Sequence, residues 1–97
     1  MNVIFHSEAK QEFRQAILSY QEIDRELGAD FELKVEEALA LIVAFPRLGQ
    51  EIRPQIRRML LRRFPYGVLY SICADCIYIV AVMHLHARPD YWQSRIN

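Results

Sequence analysis

The stretch RRMLLRRFPYGVLYSICADCIYIVAVMHL, residues 57–85, decides the fold. From Cys76 to Leu85 one parity carries Ile77, Ile79, Ala81, Met83 and Leu85, all apolar, and the other Tyr78, Val80, Val82 and His84. Side chains that alternate in this way mark a strand with one face on a core. A two-residue turn at Ala74–Asp75 would pair residue 72 with 77, 70 with 79 and 68 with 81, which puts Ile72, Tyr70 and Val68 on that same face. Three strands are expected, about Ile56–Phe64, Tyr66–Cys73 and Cys76–Leu85.

In the first of these, Met59 and Leu61 take the core parity. Arg58, Leu60 and Arg62 are then left on the open side with Leu69, Ser71, Tyr78, Val80, Val82 and His84. Arg57 and Arg63 fall on the helix side near the strand ends, within reach of water or of acidic partners.

Upstream the period changes. NVIF at residues 2–5 reads as a short edge strand. Ser7 can cap a helix with Glu8 and Glu12 near its positive end, and Ala9, Phe13, Ala16, Ile17, Tyr20 and Leu27 recur at helical spacing up to Gly28. Asp30 can cap a second helix, lined by Phe31, Val35, Ala38, Leu39, Ile42 and Phe45 and ended by Pro46. The expected fold is α+β, in the order β-α-α-β-β-β, with a helical hairpin on one face of a small antiparallel sheet.

The chain has 97 residues, 53% hydrophobic, with 3 Gly and 4 Pro. That composition predicts one domain, residues 1–97, burying roughly 60–65% of its unfolded surface. No apolar run approaches the roughly 18–20 residues of a membrane span, and MNVIFHSEAK lacks a basic region followed by an apolar core, so a cytoplasmic setting is expected. The net charge of zero hides an asymmetry: residues 1–50 hold nine acids and five bases, whereas residues 51–97 hold three acids and seven bases, all arginine. Arginine suits bidentate contacts to carboxylate or phosphate. The simplest use of these arginines is internal pairing with the acidic helices; the other is a partner.

Cys73 and Cys76 have a C-x-x-C spacing, but two further zinc ligands are missing at finger spacing and a hairpin turn is not the helix N-terminus of a thioredoxin-like site. Free thiols flanking a turn are expected, and neither metal nor cofactor is called for. In MHLHARPDYWQSR, His84 and His86 can serve as general acid or base and the arginines can stabilise developing phosphoryl charge. The plainer alternative is a satisfied sheet histidine, with Tyr91 and Trp92 folded back over the end of the sheet.

From Arg57 to Arg95 the order of features is a basic strand, FPY, Y-x-I, a short acidic turn, V-x-H and R-P-x-Y-W-x-x-R. This order resembles the RelE/ParE superfamily of toxins from bacterial type II toxin–antitoxin pairs, and more closely its ParE side. The resemblance implies the α+β fold above, a role in plasmid stabilisation or growth inhibition, and a cognate antitoxin through which DNA would be met only indirectly. ParE-like members act on DNA gyrase without a known hydrolytic site, whereas RelE-like members are ribosome-dependent messenger-RNA endoribonucleases. RelE-like sites often use lysines on the sheet side, and this chain has none after Lys34. Under the nuclease alternative His84, His86 and Arg62 would substitute for them. Under the gyrase reading no catalytic residue is expected, and a toxin-like remnant keeping only its antitoxin contact is a third possibility. The residues expected to meet target or antitoxin are Arg58, Leu60, Arg62, Leu69, Val80, Val82, His84, Arg88, Tyr91, Trp92 and Arg95.

Overall fold

The computed structural model describes residues 1–96. Strand β1 (Asn2–Phe5) leads into helices α1 (Ser7–Ile23) and α2 (Arg25–Ala44), followed by strands β2 (Gln50–Arg53), β3 (Ile56–Leu60), β4 (Tyr66–Ile72) and β5 (Cys76–His84), and a 3-10 turn at Gln93–Ile96. The sheet runs β1-β5-β4-β3-β2. Its three hairpin pairings are antiparallel and β1 lies parallel to β5. The expected α+β architecture is present, with one more strand: β2 forms in the segment read as a loop. Its short QEIR sequence lacks a run of β-branched or aromatic residues, so pairing with β3, not local preference, makes it a strand.

The helical hairpin turns earlier than the sequence suggests. Asp24 is extended and its carboxylate accepts the Glu26 amide at 2.8 Å, so it caps α2 at the point where α1 ends. The expected stop, Gly28, lies inside α2. A Cβ there would stand 2.3 Å from the Gln21 Cγ and 3.0 Å from the Ile17 carbonyl, so glycine permits the close approach of the two helices. At the other end His6, not Ser7, caps α1, its Nδ1 accepting from the Glu8 amide at 3.1 Å. Phe45, expected in the core, has left the helix and is exposed.

The main core lies between the helices and the sheet. Phe31, Val35, Ala38 and Ile42 of α2 and Ala9 and Ala16 of α1 meet Leu61, Phe64, Val68, Tyr70, Ile77, Ile79 and Val82. Aromatic rings concentrate at one end, where Phe31 lies 5.2 Å from Tyr20, 5.2 Å from Phe64 and 4.9 Å from Tyr66. Each such ring removes roughly 150–250 Å² from water and adds favourable edge-to-face geometry. Tyr70 also reaches out of this core, donating to the Pro46 carbonyl at 2.6 Å and accepting the Gly49 amide at 3.0 Å, which fixes the α2–β2 loop.

One bulge re-aims half of β5. Ile72 pairs with Ile77 and Tyr70 with Ile79 as expected, but Leu69 then pairs with Ala81 and Val68 with Val82, leaving Val80 as the extra residue. The expected pairing of 68 with 81 is thus shifted by one. Because the side-chain period is two, every later residue changes face. Val82 joins the helix-side core, and Ala81 and Met83 join a second cluster on the outer face. An apolar residue at every position from Ile79 to Met83 lets either parity look like a core face, which is why alternation alone could not locate the bulge.

The outer face is not open. Trp92, 1% exposed, lies over it with Ile56, Leu69, Val80, Ala81 and Met83, and its indole donates to the Pro89 carbonyl at 2.8 Å. The C-terminal segment does fold back over the sheet. At the opposite end, Cys73 and Cys76 are joined as a disulfide and not left as free thiols; the tight turn at Ala74–Asp75 permits it by bringing their Cα atoms to 5.0 Å, within disulfide range.

Candidate partner-binding surface

The arginines sort by what they touch. Arg57, on the helix side as expected, donates to the Gly49 carbonyl at 2.7 Å and the Arg47 carbonyl at 3.1 Å, holding the loop before β2. Arg63, in the left-handed region at φ 76°, pairs with Asp30 of α2. Arg95 pairs with Glu12 at 2.8 Å and approaches Glu8 at 3.6 Å. Among the described residues Arg53, Arg57, Arg58, Arg62 and Arg88 have no carboxylate within ion-pair distance. Internal pairing therefore accounts for only two of the seven arginines in the second half of the chain.

Asp30 is shared between Lys34, at 3.0 Å, and Arg63. The Lys34 hydrogen bond, helped by Arg63, holds the Asp30 carboxyl below the usual carboxylate range. A depressed folded-state pKa means that its contribution is present above the unfolded value near 4 and disappears as pH falls through the lower folded value. Asp30→Asn should remove this part of the acid dependence. Melting temperature followed from pH 6 down to about pH 2 should fall less steeply in the variant than in the parent.

Arg58 and Leu60 stand on the outer face of β3, as expected. Arg58 lies opposite Leu69, and a Cβ on Gly67 would sit 3.0 Å from the Arg58 Cγ, so glycine leaves room for the arginine stem across the sheet. Its Nε is buried without a hydrogen-bond partner among the described residues. Arg62 lies past the end of β3 and turns toward α2. With Leu60 and Leu61 it lines a groove of about 480 Å³ whose far wall is Lys34, Glu37, Ala38 and Leu41. Leu60 is 53% and Leu41 45% exposed, so this groove has an apolar floor with Arg62 on one rim and the paired Lys34 and Glu37 on the other.

The remaining expected contacts are elsewhere. His84 is on the helix side with Tyr66, ring centroids 5.0 Å apart, and its Nδ1 accepts the His86 amide at 3.0 Å. It lines a different groove, with Glu12, Gln15, Ser19, Val82 and Tyr91. The bulge moved it there, so His84 does not share a face with Arg58 and does not share a groove with Arg62. Leu69, Val80 and Trp92 are on the outer face but inside the second core, and Val82 is in the first. Arg88 is exposed, ahead of the C-terminal turn.

Tyr91 and Arg95 belong to a latch that sequence reading missed. Strand β1 ends at Phe5, with the His6 amide donating to the Ile79 carbonyl, and the edge of β5 beyond that point has no neighbouring strand. There the Val82 amide donates to Glu12 Oε1 at 3.0 Å, and Arg95 donates to the Val80 carbonyl at 3.0 Å. Arg95 also donates to both Glu12 oxygens, and the Tyr91 hydroxyl donates to Glu12 Oε2 at 2.7 Å. Burial, reinforced by the Glu12 hydrogen bond, drives the Tyr91 hydroxyl pKa well above the usual tyrosine range. This raised pKa stabilises the fold fully below about pH 10 and progressively less above it. Tyr91→Phe should accordingly flatten the alkaline limb of a melting-temperature profile taken between about pH 8 and 12.

The architecture is thus a two-helix hairpin on one face of a mixed five-stranded sheet, with the C-terminal segment folded over the other face. The family model for the ParE toxin of the type II toxin–antitoxin system, parDE, matches residues 3–88, so the chain belongs to that family. It is the toxin component of such a system, and the family implies an antitoxin partner. No curated protein matches it significantly. Among solved structures it is similar to a chain of the chromosomal ParDE system from P. aeruginosa, with TM-score 0.75 and 17% identity over 89% of this chain and 97% of that one. It is also similar to the isolated E. coli RelE toxin, with TM-score 0.66 and 17% identity over 99% and 98% of the two chains. No helix among the described residues is long and apolar enough to cross a membrane.

Proposed function

We propose that this toxin acts in the cytoplasm by binding and inhibiting DNA gyrase without a hydrolytic step, and that its antitoxin neutralises it by laying an amphipathic segment in the α2–β3 groove. The observation that supports the first part is the placement of the nuclease candidates: His84 and His86 lie together, ring centroids 5.3 Å apart, with His84 against Tyr66 on the α1 side, while Arg62 lines the separate groove against α2. General acid–base cleavage needs those groups within hydrogen-bond reach of one scissile phosphate. Membership of the ParE family supports the same reading.

The second part rests on Leu41 and Leu60, large apolar side chains left half in water beside Arg62, which has no carboxylate partner among the described residues. An acidic amphipathic helix would cover them with its apolar positions and set a carboxylate against Arg62. Arg58, on the outer face of β3, and the exposed Arg88 remain available to the target. Supercoiling of relaxed plasmid by gyrase in the presence of the purified toxin tests the proposal. Supercoiling should be lost and linear, gyrase-cleaved DNA should accumulate; unimpaired supercoiling, with ribosome-dependent cleavage of a defined message instead, would favour the endoribonuclease.

A further inference from the structure

We propose that Cys73 and Cys76 form a thiol–disulfide exchange site at the tip of the β4–β5 hairpin, taking small disulfides and dithiols as substrates, and that its state sets how firmly β1 is held. The pair is geometrically isolated for this chemistry. These are the only cysteines in the chain, so neither has a competing partner within it. The two-residue turn places their Cα atoms 5.0 Å apart, and the Cys73 amide donates to the Cys76 carbonyl at 2.9 Å, so the hairpin backbone opposes the two residues at disulfide range. Both residues are half-exposed and the intervening Ala74 and Asp75 are exposed, so the turn that carries the pair stands at the surface.

The tip supports the start of the chain. Asn2 is the register partner of Cys76, and its amide donates to the Asp75 carbonyl at 3.1 Å. Strand β1 has four residues and a single neighbour in the sheet, so its first hydrogen bonds depend on the turn that the disulfide braces. Cross-linking Cys73 to Cys76 restricts that turn and so favours docking of β1; opening the bond returns freedom to both.

Oxidation proceeds by two exchanges. One cysteine thiolate attacks a sulfur of the small disulfide, breaking its S–S bond, releasing one small thiol and forming a mixed disulfide. The second cysteine thiolate then attacks the protein sulfur and releases the other small thiol. Two electrons pass from the cysteines to the small disulfide, and the two cysteine protons end on the released thiols. A dithiol reverses the sequence and leaves as a disulfide.

The test is to equilibrate the purified full chain in glutathione buffers of graded redox ratio, count reactive thiols by alkylation, and follow melting temperature and amide exchange at Asn2–Phe5. Both thiols should disappear together, within single chains, as the buffer becomes oxidising. The reduced form should melt about 5–10 °C lower, given the entropy of so short a loop, with exchange in β1 roughly tenfold faster. A Cys73→Ser/Cys76→Ser variant should behave as the reduced form at every ratio. Thiols that stay reactive in glutathione disulfide, disulfides that form between chains, or oxidised and reduced forms alike in melting and β1 exchange would each overturn the proposal.

Discussion

Glu12→Ala lowers stability by about 3–5 kcal/mol, the loss expected when one partner of a buried ion pair is removed and the other is left behind. Arg95 is the group left behind: its side chain is 7% exposed, and without Glu12 it keeps the Val80 carbonyl, the longer approach to Glu8 and the face of the Tyr91 ring 5.0 Å away. The same substitution strips the Val82 amide of its acceptor and the Tyr91 hydroxyl of its acceptor. Melting temperature should fall by more than about 10 °C for a domain of this size. Tyr91→Phe, which removes one hydrogen bond to a carboxylate and leaves the ion pair, should cost about 1.5–2 kcal/mol. If Glu12→Ala and Tyr91→Phe cost the same, the latch is peripheral. Denaturant unfolding of both variants distinguishes the cases, and hydrogen exchange at Trp92 reports whether the C-terminal segment detaches before the rest unfolds.

Reversing charge in the groove should be felt by the partner and not by the fold. Arg62→Glu is expected to weaken antitoxin binding by roughly 2–5 kcal/mol, since a carboxylate of the acidic segment would face a like charge where it had a partner. Arg62 is exposed and makes no ion pair among the described residues, so melting temperature should change little. Leu60→Glu should produce a loss of similar size by placing a charge on the apolar floor. Arg63→Glu is the internal control: it sets an acid against Asp30 and should lower melting temperature while leaving antitoxin affinity nearer to the parent. Calorimetric titration with the antitoxin, beside thermal melts, separates the two effects. Affinity unchanged in both groove variants would move the antitoxin to another face.

The parity of β3 was legible because Met59 and Leu61 alternate with arginines, and an arginine is costly to bury. Arg57 and Arg63 toward the helices, and Arg58 and Leu60 away from them, follow from that alternation. The parity of β5 was not legible beyond Ile79. The bulge at Val80 sits in an unbroken apolar run, so a shift of one residue changed the faces without breaking any sequence pattern, and it carried Val82 and His84 to the helix side. The outer surface was misread for a related reason. The sequence offers folding back of Tyr91 and Trp92 only as the alternative to contact with a partner, which is expected of them as of Leu69 and Val80, whereas Trp92 is buried together with Leu69 and Val80. Glu12 carried a local signal only, as an acid near a helix N-terminus. Its role depends on where β1 ends and where the C-terminal turn arrives, and both are tertiary facts. Leu41 was detectable as an apolar residue outside the core-facing positions of α2, which is the kind of residue that lines a groove.

The measurement that bears most directly on a non-hydrolytic mechanism is the potency of the His84→Ala/His86→Ala double variant, assayed with gyrase and plasmid DNA and, in parallel, with ribosomes and a defined message. General acid–base groups typically contribute 10²–10⁴-fold to a rate. The account predicts that the double variant inhibits supercoiling within about tenfold of the parent and that neither protein cleaves the message. A parent that cleaves the message on the ribosome, and a folded double variant that has lost that cleavage by a hundredfold or more, would contradict it.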